Sequence, residues 1–132
     1  MTLQNFTRSK SLNTIPPKKQ EDYLNQINLS TLTSEQKRFK TVAILRYSES
    51  NIPVEYWDLK MEDFKGDSRL LKKYNEYIED LKLSYQQGLS LCFSGSHGRG
   101  KTMTVSNILK KACEKGYSTL YTTLSDIVNV LT

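Results

Sequence analysis

Two cysteines and one histidine are all that the 132 residues offer to a Cys/His zinc site. Cys92 and Cys113 are far apart and form no CxxC pair, so a zinc site completed by His97 is not expected. Both cysteines read instead as small core residues in a reducing compartment. No apolar run approaches the ~20 residues that span a bilayer. The first 19 residues lack the apolar centre of a signal peptide. They also lack any acid, but Arg8 is their only arginine, which argues against a transit peptide. The expected setting is the cytoplasm, without a membrane partner. No internal repeat or low-complexity block is visible. Hydrophobic content is 37%, low for a compact domain, so long polar surfaces or a flexible segment are expected. A net charge of +5 is compatible with nucleic acid or an acidic partner and proves neither.

What is present falls into three parts. Residues 1–19 carry Arg8, Lys10, Lys18 and Lys19 with the pair Pro16-Pro17. They read as a flexible basic tail, either a plain solvated terminus or an arm for DNA or a partner. Residues 20–50 have helical spacing. Tyr23, Leu24 and Ile27 share one face. Thr33 or Ser34 can cap a second helix, in which Phe39, Val42, Ala43, Arg46 and Tyr47 recur at helical intervals. Its basic residues make either a solvated face or a docking surface. In residues 51–132, Pro53 and Gly66-Asp67 bound an irregular stretch in which Tyr56, Trp57 and Phe64 read as packing anchors. A helix capped by Asp67 or Ser68 follows, with Leu70, Leu71, Tyr74, Ile78, Leu81 and Tyr85 as its apolar stripe and Gly88 at its end. "LSLCFSG" reads as a buried strand, "MTVSNILKKACEKG" as a helix closed by Gly116, and "STLYTT" as a second strand. "LSDIVNVL" reads as a last helix capped by Thr123 or Ser125. Strands alternating with helices predict an α/β fold, a partial βαβ core of the P-loop NTPase kind behind a helical N-terminal region.

Between the first predicted strand and its helix lies Gly95-Ser96-His97-Gly98-Arg99-Gly100-Lys101-Thr102. It fits G-x-x-x-x-G-K-[ST] at every position. A chance match in a chain this long falls roughly below one per cent, given Gly at ~7% of residues. The chemistry explains the pattern. A loop that wraps an anion with consecutive N–H groups needs backbone angles open mainly to glycine, hence Gly95 and Gly100, with Gly98 adding latitude. Lys101 supplies positive charge to the β- and γ-phosphates of ATP and is the candidate catalytic residue. The Thr102 hydroxyl is the candidate Mg²⁺ ligand. The following helix offers free N–H groups and its positive end. His97 faces either a phosphate or solvent. Arg99 faces solvent or a neighbouring subunit.

Hydrolysis needs more: an acidic residue at the end of another strand to hold Mg²⁺ and orient water. "STLYTT" ends without one, and Asp126 reads as a helix cap. The expectation is therefore the N-terminal part of a longer ATPase, inactive in hydrolysis by itself.

Three stretches, in order, resemble bacterial and phage replicative helicase loaders of the DnaC type: "RYSESNIPVEYWDLKMEDF", "LCFSGSHGRGKT" and "KACEKGYSTLYTTLSDIVNVL". Transposition helper ATPases of the IstB type share much of this pattern. The resemblance covers residues 46–132 and stops where the family's acidic Walker B strand would begin. It implies an AAA+ ATP-binding protein that helps to load a replicative helicase in DNA replication. It implies ATP and Mg²⁺ as cofactors and a homo-oligomer when full-length. A replicative helicase is the implied partner, with single-stranded DNA as a further one. It also implies residues 95–100 as the phosphate cradle and Ile52 and Phe64 as adenine-side contacts. His97 and Arg99 depart from the small or proline residues common in that loop. The alternatives are a non-hydrolysing module that binds a helicase or DNA, an IstB-like helper, and a small-molecule kinase. The long charged helical region ahead of the loop speaks against the kinase.

Overall fold

The structure, a computed structural model, describes Asp22 and residues 31–132. The basic tail and the helical reading of Tyr23, Leu24 and Ile27 lie outside the described residues.

Helix α1 (Ser34–Glu49) starts where its cap predicts. Thr33 Oγ1 accepts from the Gln36 N–H at 3.3 Å, and Gln36 Oε1 accepts from the Thr33 N–H at 3.0 Å. This capping box satisfies two donors that the helix leaves free. At its other end Asn51 takes a left-handed turn (φ 56°), and the Ile52 N–H donates to the Tyr47 carbonyl at 3.0 Å. Asparagine tolerates that conformation better than other side chains. Short 3-10 turns follow at Val54–Tyr56 and Met61–Asp63. Helix α2 (Ser68–Glu79) is capped by Asp67, whose carboxylate accepts from the Arg69 N–H and from the Arg69 guanidinium. The hydrogen bonds from Arg69 hold the Asp67 carboxyl down at about 2. The stripe read as one helix breaks at Asp80 (φ −101°, ψ 34°), and α3 (Leu81–Gln86) is a separate short helix. Helix α4 (Lys101–Glu114) is the central element, with α1 and α2 packed against it. Gly116 closes it with φ 88°. Helix α5 (Leu124–Leu131) begins with a second capping box, between Thr123 and Asp126.

The core lies between α1, the 52–57 segment and α4. It holds Ala43, Ile44, Tyr47, Ile52, Trp57 and Cys113, with Val54, Leu109 and Tyr121 packed on it. Burying side chains the size of Ile44, Ile52 and Trp57 contributes about 2 kcal/mol apiece. The Trp57 indole N–H donates to the Ile52 carbonyl at 2.8 Å, so its one polar atom is satisfied inside. Ser50 Oγ, Cys113 Sγ and Thr119 Oγ1 close a triangle of 3.2, 3.0 and 2.8 Å. Cys113 is thus the core residue expected, whereas Cys92 is exposed.

The predicted α/β class is corrected. Among the described residues there is no strand and no sheet, so the βαβ core read from the sequence is absent. Both apolar runs chosen as strands lack a ladder partner. The second run is instead tied to the end of α1: the Tyr121 N–H donates to the Ser50 carbonyl at 2.8 Å, and the Asn51 side-chain amide donates to the Tyr121 carbonyl at 3.3 Å. With both backbone groups of Tyr121 engaged there, the run has no ladder bond at that residue for the first. In the first run Leu89 and Leu91 are exposed rather than buried. Apolar runs of this length predict a strand only when another strand stands beside them.

Candidate phosphate-binding site

The sequence places a glycine-rich loop in front of α4, and the structure gives it the backbone the glycines permit. Gly95, Gly98 and Gly100 have φ of 145°, 72° and 79°. Side chains other than glycine rarely adopt these values. Gly100 is the N-cap of α4. Its carbonyl accepts the first helical bond, from the Thr104 N–H at 2.9 Å, and a second from the Thr104 hydroxyl at 2.8 Å.

The helix that starts there is open at its positive end. Helices α1, α2 and α5 each have a side chain bonded to first-turn donors: Thr33, Asp67 and Thr123. Helix α4 has no side-chain cap, and no acid lies in its first turn. Its leading N–H groups and dipole are therefore available to an external anion.

Lys101, the first residue of α4, folds back over the loop. Its Nζ donates to the Gly95 carbonyl at 2.8 Å and to the Ser96 carbonyl at 2.7 Å. An ammonium, the loop's glycines and an uncapped helix end thus converge within eight residues. Thr102 is exposed. His97 is exposed, and exposed Arg99 donates from Nε to Ser96 Oγ at 3.3 Å, within the loop.

Ile52 and Phe64, assigned by resemblance to the adenine side, are far apart in role. Ile52 is fully buried in the α1–α4 core, with no exposed surface. Phe64 is half-buried and reaches the loop. A Cβ added at Gly100 would meet its ring at 2.7 Å and 3.2 Å, and one added at Gly66 would overlap it.

Two features were not read from the sequence. Lys110 is buried, donating from Nζ to the Tyr56 carbonyl at 2.8 Å and the Leu59 carbonyl at 2.6 Å, with the Tyr47 ring 5.8 Å away. Burial pushes its pKa down, opposed by the charges of Glu114, Asp58 and Asp63. The available signal was its helical register: Ser106, Asn107 and Cys113, three or four residues away, are buried too. Glu114 links two helices. It accepts from the Tyr47 hydroxyl at 2.6 Å and from Lys111 Nζ at 2.8 Å. Its charge also helps to push Tyr74 up to about 12, after burial as the main cause.

No protein-family model, curated protein or solved structure matches the chain. No helix among the described residues is long and apolar enough to cross a membrane.

Proposed function

We propose that the loop of residues 95–102 binds the phosphates of ATP, and that the protein is a nucleotide-binding factor of the helicase-loader type acting in the cytoplasm. The observation that carries the reading is the position of Lys101. Its ammonium lies on the carbonyls of Gly95 and Ser96, directly ahead of an α4 N-terminus that no side chain caps. The donor set fits a polyphosphate: loop and first-turn N–H groups, one lysine, and no carboxylate in the turn. Lys101 and the loop N–H groups would hold the phosphates. Thr102 would ligate Mg²⁺, which offsets phosphate charge. The reading rests on this local arrangement and not on a sheet.

The loader role is supported by the order of the three sequence stretches and by α1. Phe39, Val42 and Leu45 are exposed on that helix, with Arg38, Arg46 and Glu35 beside Phe39 and Val42. An exposed apolar set with charges of both signs around it suits a protein partner, and the replicative helicase is the partner the resemblance implies. The same surface favours the second reading, an interaction module that binds its partner without nucleotide.

Equilibrium binding of ATP with Mg²⁺ to the protein and to Lys101→Ala separates the two. The first reading expects saturable binding that the substitution weakens about a hundredfold. Equal affinity of both proteins, or no binding by either, would leave the interaction module.

A further inference from the structure

The phosphate loop does not stand alone: one aromatic ring from a segment more than thirty residues upstream is seated against it. The seat is made by two missing side chains. The Phe64 ring occupies space that a Cβ on Gly66 would fill, and space that a Cβ on Gly100 would fill. Gly66 has no left-handed backbone to explain it, so room for the ring is its visible reason. Gly100 has both reasons, φ 79° and the ring.

The segment that carries the ring is itself fixed to α4. Lys110 Nζ holds the carbonyls of Tyr56 and Leu59. Met61 is buried, Asp63 accepts from the Lys60 N–H at 3.0 Å, and the Phe64 N–H donates to the Met61 carbonyl at 3.1 Å. Lys110 and Gly100 lie ten residues apart on the sequence, roughly 15 Å along the helix at ~1.5 Å per residue. The 56–66 segment is therefore a strap along α4, anchored by Lys110 at one end and set on the phosphate loop at the other.

We propose that Phe64 is a positioning residue for the anion site: its ring, seated between Gly66 and Gly100, holds Gly100 in the left-handed turn from which the first N–H groups of α4 are presented. This rests on the phosphate-binding reading and deepens it. Glycine is the residue least restrained by its own backbone, so a glycine turn that must be preformed needs an outside restraint. Without the ring, the loop samples other backbone states, and apparent affinity falls in proportion to the competent fraction. The role is on the loop and differs from a contact with the adenine.

The test is equilibrium binding of inorganic pyrophosphate and of ATP, each with Mg²⁺. The proteins are the parent, Phe64→Ala, Phe64→Leu, Gly66→Ala and the pair Phe64→Ala/Gly66→Ala, with thermal melting and far-UV circular dichroism alongside. Phe64→Ala is expected to weaken pyrophosphate binding about tenfold, the loss for a loop competent one time in ten. Phe64→Leu, which refills the seat with apolar volume, is expected to recover part of it. Gly66→Ala expels the ring without deleting it and is expected to weaken binding similarly. The double variant is expected to be no weaker than Phe64→Ala alone, because both changes remove one contact. If Phe64→Ala melts below the assay temperature, Gly66→Ala carries the test, since Gly66 is exposed. A parent that binds while Phe64→Ala and Gly66→Ala bind equally well would overturn the positioning role and leave the phosphate site standing. A parent that binds neither probe would overturn the phosphate site itself.

Discussion

Lys101 Nζ lies 2.8 Å from the carbonyl oxygen of Gly95, six residues earlier in the chain. The contact closes the loop on its own lysine, and the lysine is the group that an arriving phosphate would attract. Replacing Lys101 with alanine should weaken ATP binding about a hundredfold. That corresponds to about 2.7 kcal/mol, within the range for hydrogen bonds to a charged group. Because the loop is exposed, the melting free energy should change by no more than about 0.5 kcal/mol. Titration calorimetry and thermal denaturation of the same samples check both halves.

Lys110 should act first on stability. It is buried, and its ammonium satisfies the carbonyls of Tyr56 and Leu59. Lys110→Met keeps the stem and leaves two carbonyls without their donor. Urea unfolding should show a loss of about 2 kcal/mol. ATP affinity should also drop, because the strap that carries Phe64 loses its anchor.

Ser106 is fully buried on α4, and its hydroxyl has no hydrogen-bond partner among the described residues. A buried hydroxyl without a partner costs free energy, so Ser106→Ala should be neutral or stabilising by up to about 1 kcal/mol. A large loss of stability in urea unfolding would show that the hydroxyl is engaged.

Tyr74 gives the stability of the protein an alkaline limb. Burial, then the charges of Glu114 and Glu62, push its phenol up to about 12 from the ordinary 10. A folded-state pKa above the unfolded one means that the contribution is complete below pH 10. It is lost as pH rises from 10 through 12. Lys110, whose pKa burial lowers, works with the opposite sign on approach to its ordinary value of 10.5. The comparison is therefore between the parent and Tyr74→Phe, which share Lys110. The fall in unfolding free energy between pH 10 and 12 should be shallower in Tyr74→Phe.

The helices were legible because their signals are local. Thr33 with Gln36, Asp67 ahead of α2, Thr123 with Asp126, and Gly116 after α4 each sit where a few neighbouring residues decide the backbone. The loop was legible for the same reason, since its three glycines and Lys101 fall within seven residues. The sheet was misread because a strand is a relation between distant segments. Whether residues 117–123 pair with residues 89–94 or with the end of α1 turns on Ser50 and Asn51, some seventy residues away. The break at Asp80 was hidden because Leu81 and Tyr85 continue the apolar spacing across it, although Tyr85 is exposed and lies against Tyr117. The packing roles of Lys110 and Gly66 carry little local signal, because a lysine on a helix ordinarily reads as surface and Gly66 beside Asp67 reads as a turn. Their roles depend on what packs against them.

The central claim is that an anion binds on the backbone of residues 95–102 at the head of α4. Amide proton and nitrogen shifts during a titration with pyrophosphate and Mg²⁺ test it most directly. The account predicts saturable shifts concentrated at residues 95–103, with smaller ones at Phe64 and Gly66, and a titration midpoint about a hundredfold higher in Lys101→Ala. Shifts spread over the basic surface without saturation, or absent from residues 95–103, would contradict it.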